Sequence, residues 1–174
     1  LSFRRPLLSK HPRLMRCLTD VARMAGWTGG VRGEDGRGQG LACALFRGGA
    51  IAVVAEVEPD GEAIRVRRLS AMVDAGRIIH PDVARQQVEG GMLFAAAAAL
   101  SGDVNFKDGL PVQKRLGQLG LMTLADAPEV TVEFIRSEAA TAGLEGLSIP
   151  AVAPAIGNAV FSATGQRRWV LRLR

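Results

Sequence analysis

Apolar and polar positions follow two different periods along the chain and divide it into helical and extended segments. Between residues 11 and 26 the apolar side chains recur every three or four positions, which predicts a helix. Further on, runs of apolar and β-branched residues are separated by short glycine-containing turns. These runs predict three antiparallel strands with one buried face, over residues 41–47, 50–58 and 63–74.

The second half of the chain contains two further helices and another strand. Residues 81–100 are the strongest helix candidate, because a first-turn proline precedes a long apolar stretch that includes five consecutive alanines. Strict alternation predicts a strand over residues 129–136, and the apolar pattern of residues 150–164 predicts a helix. The tail, residues 169–174, is predicted as a short amphipathic strand or docking segment.

Residues 28–40 are rich in glycine and lack the lysine and hydroxyl pattern of a phosphate-binding loop, so they are predicted to be a flexible linker. The linker divides the chain into an N-terminal helix with its linker, residues 1–40, and a larger portion, residues 41–174. Together the elements predict an α+β fold, in which helices 81–100 and 150–164 pack against the antiparallel meander.

Composition narrows the class of protein. The 174 residues are 48% hydrophobic and 22% charged, which excludes intrinsic disorder. The net charge of +5 comes from scattered arginines, so nucleic-acid binding ranks last and no nucleic-acid partner is expected. Two cysteines without a Cys-x-x-Cys pattern predict free thiols and no iron–sulfur cluster in this chain.

The ends and the apolar runs give two further expectations. The longest apolar run, Met92–Leu100, has nine residues and is too short to cross a bilayer. The N-terminus has neither an initiator methionine nor the apolar core of a signal peptide, which favours a fragment or a processed piece.

Two polar residues are candidates for chemistry on residue type alone. Gln87 lies beside the pair Gly90–Gly91, and such a pair inside a helix indicates close approach of a backbone, a ligand or a tightly packed helix. A glutamine amide offers donors and an acceptor to a heterocycle, although many glutamines bond only to backbone. Glu145 lies between small residues and would suit a general base if buried, or would be an ordinary solvated loop charge.

Several segments, in a fixed order, carry a family resemblance. They are VDAGRIIHPDVARQQVEGG (73–91), DAPEV (126–130) and PAVAPAIGNAVFSATGQR (150–167), preceded by FRRPLLSKHPRLMRCLTDVARMAGW (3–27) and GRGQGLA (36–42). In this order they resemble the C-terminal part of the molybdopterin-binding subunit of the xanthine dehydrogenase/aldehyde oxidase family. The isoquinoline 1-oxidoreductase beta-subunit branch is the nearest in pattern.

The resemblance implies a molybdenum hydroxylase that oxidises an aldehyde or an N-heterocycle with oxygen from water. The implied cofactor is a molybdenum–molybdopterin cytosine dinucleotide, contacted by Gln87 with Gly90 and Gly91, and Glu145 would be the catalytic base. No metal-ligating residue is assigned. The implied partners are the rest of the molybdenum subunit, a small subunit with [2Fe–2S] clusters and a cytochrome c as one electron acceptor. By analogy, the protein would be bacterial and periplasmic or associated with the inner membrane.

The spacing around Glu145 leaves two interpretations open. The branch typically has Gly-Val-Gly-Glu before this helix, and counting back from Pro154 places Gly146 in the slot of the glutamate, one position after Glu145. Either a one-residue shift restores Glu145 as the base, or the base is absent. In the second case the chain is a degenerate, non-catalytic relative that serves as an assembly or interaction piece.

Overall fold

A computed structural model describes residues 1–60, 63–102, 104–171 and 173. The α-helices are α1 (Arg4–Leu7), α2 (Pro12–Met24), α3 (Pro81–Leu100) and α4 (Ile149–Thr164). The strands are β1 (Gly38–Phe46), β2 (Gly49–Asp60), β3 (Ala63–Asp74), β4 (Phe106–Lys107), β5 (Leu110–Pro111) and β6 (Glu129–Phe134). The predicted α+β class is confirmed, and β3 and α3 have the predicted bounds.

The four long strands form one mixed sheet in the order β1-β2-β3-β6. The pairs β1–β2 and β2–β3 are antiparallel, as predicted, whereas β6 lies parallel to β3 with Val73 opposite Phe134. The connection from β3 to β6 contains α3 and the turn-rich residues 101–128. As a result, the ends of β1, β3 and β6 and the start of β2 meet at one end of the sheet.

Helices cover both faces of this sheet, so the prediction of a single buried face is wrong. On one face α3 and α4 pack over a core that includes Ile51, Val53 and Val73. On the other face α2 packs through Leu14, Leu18 and other apolar residues against alternate positions of β2. A strand between two covered faces needs apolar residues at successive positions, which explains the continuous apolar run of β2.

The strand β1 begins at Gly38, so the linker prediction is wrong for residues 38–40. At Gly38 and Gly40 the backbone of α4 lies so close that no side chain fits. A Cβ on Gly40 would overlap the carbonyl oxygen of Ala155 and the amide nitrogen of Ala159. These glycines therefore permit close packing of helix on strand. The proposed boundary at residue 40 remains a prediction, and β1 crosses it.

The C-terminal tail differs in part from its prediction as a short amphipathic strand or docking segment. The described residues 169–171 form no strand, and the backbone N–H of Leu173 donates to the carbonyl of Ala99 at 3.0 Å. The rest of the tail prediction falls on Arg172 and Arg174, outside the described residues.

Both cysteines are free thiols, as predicted. Across the described ranges, no helix is long and apolar enough to cross a membrane.

Candidate active site

The loops at the shared end of the sheet are tied together by backbone hydrogen bonds. The N–H of Arg77 donates to the carbonyl of Ala139 at 3.1 Å, and the N–H of Ala142 donates to the carbonyl of Ala75 at 2.8 Å. Gly76 has a φ of +70°, and a Cβ there would collide with the carbonyl oxygen of Ala140. The segment that leads into α3 and the segment that leads into α4 are therefore held side by side.

Asp74 is the buried anchor of this loop cluster. Its carboxylate accepts a hydrogen bond from Arg13 at 2.7 Å and from the backbone N–H of Gly76 at 3.1 Å. Burial by itself would raise the pKa of Asp74, but the Arg13 and Gly76 bonds outweigh it and the pKa lies below its usual value. Arg13 also donates to the carbonyl of Gly48 at 3.0 Å, so the same guanidinium fixes the turn between β1 and β2.

Asp74 should make the stability of the chain sensitive to acid. Because its folded-state pKa is lowered, the carboxylate stabilises the fold above the unfolded pKa of about 3.9 and this contribution is lost as pH falls through the folded value. We expect Asp74→Asn to lower the free energy of unfolding by about 1–3 kcal/mol near neutral pH, and this deficit to shrink on acidification. Chemical denaturation from about pH 6 to about pH 3 checks this. A deficit independent of pH would contradict the charged role of Asp74.

Gln87 lines an open, largely apolar cleft of about 230 Å³. The cleft lies between the start of α3 and the loop before α4, and Arg77 and His80 contribute its charged or titratable side chains. The complete lining is Arg77, Ile78, Ile79, His80, Val83, Ala84, Gln87, Thr141, Ala142 and Leu144. The Gln87 side chain is exposed there, so its amide is accessible to a bound group.

The two glycines after Gln87 have different surroundings. At Gly91 a Cβ would collide with the hydroxyl of Ser148, which donates to the carbonyl of Val88, so Gly91 permits packing of α3 against the start of α4. Gly90 is exposed, and no atom lies within 4 Å of the place that its Cβ would take. Packing within the chain therefore explains why glycine is needed at position 91, but it does not explain the glycine at position 90.

Glu145 is exposed and ion-paired. Its side chain is 80% exposed, and its Oε2 lies 2.9 Å from Nη1 of Arg47 at the turn between β1 and β2. Glu145 is therefore not a buried carboxylate without a charged partner. Glu145 follows Leu144 of the cleft lining, so Gln87 and Glu145 belong to the same end of the molecule.

Sequence reasoning missed the three residues that organise this end, namely Arg13, Arg47 and Asp74. Their partners are distant in sequence, since 61 residues separate Arg13 from Asp74 and 98 separate Arg47 from Glu145. One local feature could have indicated Asp74: an acidic residue ends the apolar strand β3 and is followed by Ala-Gly.

The comparisons with known proteins agree with this architecture. Residues 20–128 match the model of the molybdopterin cofactor-binding domain. The chain belongs to this family. The matched residues include Gln87, Gly90 and Gly91, whereas Glu145 lies outside them.

Two curated relatives are 28% and 35% identical to the chain over the residues that align with it. Isoquinoline 1-oxidoreductase subunit beta of Brevundimonas diminuta is 28% identical over 179 residues, which is 100% of this chain and 23% of that protein. The membrane-bound aldehyde dehydrogenase (pyrroloquinoline-quinone) of Gluconacetobacter polyoxogenes is 35% identical, over 66% of this chain and 15% of that protein. The chain therefore spans less than a quarter of the length of these relatives.

Solved structures share the fold. The aldehyde oxidoreductase of Desulfovibrio gigas superposes with a TM-score of 0.60 at 24% identity, over 70% of this chain and 14% of that one. The quinoline 2-oxidoreductase of Pseudomonas putida 86 gives 0.59 at 24% identity, over 67% and 16%. The mixed sheet with helices on its faces is thus the fold of part of each of these larger proteins.

The exposed face around Gln87 fits a molybdopterin group. The Gln87 amide can donate to and accept from a neutral heterocycle, and the bare backbone at Gly90 lets a flat group approach the helix. Arg77 and His80 flank the same cleft at the N-terminus of α3, where a phosphate is favoured by the helix dipole.

Proposed function

We propose that this chain is the part of a molybdenum hydroxylase that holds one side of the molybdopterin cofactor and carries the base of the reaction. Gln87 on an open helix face, within the residues that match the cofactor-binding family, is the observation that carries the proposal. The names of the relatives support an aldehyde or an N-heterocycle as the substrate class.

In this proposal the residues of the chain have distinct roles. The Gln87 amide binds the polar edge of the pterin, Gly90 leaves room for it, and Gly91 keeps α3 against the start of α4. When bound, the cofactor would supply the redox centre for the reaction, in which the substrate loses two electrons and gains an oxygen atom from water. Glu145 takes the proton that the water-derived oxygen loses, at its carboxylate.

The further components belong to the same proposal. The chain spans less than a quarter of the length of its relatives, and we propose that the rest of the molybdenum subunit completes the cofactor site and the substrate funnel. We propose the cytosine dinucleotide form of the cofactor, a small subunit with [2Fe–2S] clusters and a cytochrome c that receives the electrons. A periplasmic or inner-membrane-associated location is proposed by family analogy alone.

The experiment that tests the function is the content of molybdenum and cytidine monophosphate in the native complex that contains this chain. One of each per complex, after acid release, is expected. A complex with intact partners and neither component would contradict the proposal, and so would one that holds pyrroloquinoline quinone instead of molybdenum.

Gln87→Ala should weaken retention of the cofactor. The variant removes an exposed amide and leaves the fold unchanged, so we expect less molybdenum per complex after dialysis at an unaltered unfolding temperature. Gln86→Ala, at the neighbouring exposed position, is the matched control. Equal molybdenum content in the two variants would contradict the role of Gln87.

Gly90→Ala tests the same site in a second way, because the substitution should raise the stability of the fold and lower the binding of the cofactor. Alanine in a helix interior is more stable than glycine by about 1 kcal/mol, and Gly90 has free space for the Cβ. We expect a higher unfolding temperature together with lower molybdenum content. Unchanged molybdenum would show that the cofactor does not approach Gly90.

A second function is favoured by the position and exposure of Glu145. An exposed glutamate one position before the slot of the family's base suits a non-catalytic relative that keeps the fold for assembly. A complex that contains the cofactor but has no turnover with aldehydes or N-heterocycles would favour this alternative.

A further inference from the structure

The tip of the hairpin between β1 and β2 lies against the loop that carries Glu145. Arg47 Nη1 lies 2.9 Å from Glu145 Oε2, and the Arg47 guanidinium lies 5.6 Å from the centre of the Phe46 ring. A Cβ on Gly146 would lie 3.5 Å from Phe46, and one on Gly49 would lie 2.9 Å from Leu147. The hairpin tip therefore contacts Glu145 itself and the two residues that follow it.

The conformation of Arg47 is unusual for its residue type. Arg47 has a φ of +49° and Gly48 a φ of +81°, so both central residues of this two-residue hairpin are left-handed. Such turns favour Asn-Gly, because asparagine tolerates the left-handed backbone conformation better than a residue with a long side chain does. An arginine in an unfavourable backbone conformation indicates that its side chain has a use.

The turn is also fixed to the core. The carbonyl of Gly48 accepts a hydrogen bond from Arg13 at 3.0 Å, and Arg13 is itself bonded to the buried Asp74 at 2.7 Å. Arg47 therefore projects from a rigid support, although its own side chain and that of Glu145 are largely exposed. Isolated surface ion pairs add little stability, so the effect to expect is local, on the direction of Glu145 and the order of its loop, and not on the global stability of the fold.

We propose that Arg47 is a positioning residue that fixes the direction of the Glu145 carboxylate. The inference rests on the proposed function, in which Glu145 is the base. An ion pair acts on the carboxylate itself, so it can orient the group even though Glu145 lies one backbone position before the slot of the family's glutamate. The geometry thus offers a way for this chain to use its shifted glutamate.

The test compares Arg47→Asn with Arg47→Lys in the native complex. Asparagine suits the left-handed turn and removes the charge, whereas lysine keeps the charge. For Arg47→Asn we expect kcat to fall by about 10- to 100-fold with KM little changed, the size of effect caused by misplacing a reacting group. Hydrogen exchange in the peptide of residues 142–148 should rise several-fold. Arg47→Lys should restore most of both.

The double variant Arg47→Asn/Glu145→Gln distinguishes failure of the role of Arg47 from failure of the role of Glu145. If Arg47 acts through Glu145, Arg47→Asn will have no further effect on kcat once Glu145 is glutamine. If Glu145→Gln alone leaves turnover unchanged, Glu145 is not the base and the proposed function loses that step. If Glu145→Gln is impaired but Arg47→Asn keeps normal turnover or normal exchange in residues 142–148, only the role of Arg47 is overturned.

Discussion

Glu145→Gln in the intact complex is expected to lower kcat by about 10²- to 10⁴-fold while molybdenum stays bound. The substitution keeps the shape of the side chain and its contact with Arg47 but removes the ability to accept a proton. Since Glu145 is exposed and lies outside the core, the unfolding temperature should not change. Steady-state turnover with an aldehyde and an N-heterocycle, beside elemental analysis of the same sample, measures both quantities.

The control for this substitution is Glu138→Gln. Glu138 is an exposed glutamate of the same loop region, so it matches the change in charge at the same end of the sheet. Turnover near that of the unaltered complex is expected for Glu138→Gln. If Glu145→Gln also has near-normal turnover, the catalytic assignment of Glu145 is wrong and the non-catalytic interpretation gains support.

Gly40→Ala is expected to destabilise the fold by about 3 kcal/mol or more, because the new methyl group overlaps backbone atoms of α4 that cannot move independently. For a chain of this size that loss corresponds to a fall of about 6–12 °C in the unfolding temperature. Thermal unfolding followed by circular dichroism provides the measurement.

Gly117→Ala is the matched control for Gly40→Ala. Nothing lies within 4 Å of the place that a Cβ on Gly117 would take. Its effect should stay within about 0.5 kcal/mol of zero. A mild effect of Gly40→Ala would mean that α4 can move away from β1, and the close packing would then not define the fold.

Local pattern predicted the elements well where each depends on its own residues. The bounds of β3 and α3 agree with the structure because alternation, Pro81 at the first turn and a long apolar stretch are all properties of those segments. The parallel pairing of β6 was not predicted, since alternation identifies a strand but not its neighbour.

The glycines show why other features could not be predicted. Residues 28–40 were assigned to a linker from composition, but the need for glycine at positions 38 and 40 comes from α4, more than 100 residues later. The burial of both faces of β2 could have been predicted, because its apolar run has no polar alternation.

Of the candidate site, the predicted helix 81–100 brings Gln87 and Gly90 together, because residues three positions apart in a helix are neighbours. The exposure of Glu145 and its contact with Arg47 depend on a hairpin and a loop that meet only in the folded chain. No local pattern in either segment contains that information. The same holds for Arg13, which connects α2 to the turn between β1 and β2 and to the end of β3.

The packing of the first strand on the last helix has a consequence during protein synthesis. Leu41 and Asn158, which are hydrogen-bonded across this contact, are 117 residues apart. At translation rates of 5–20 residues per second, β1 waits about 6–23 s for the segment that covers it. Throughout that interval an apolar sheet face without its helix would be open to chaperones at the ribosome, and to neighbouring nascent chains.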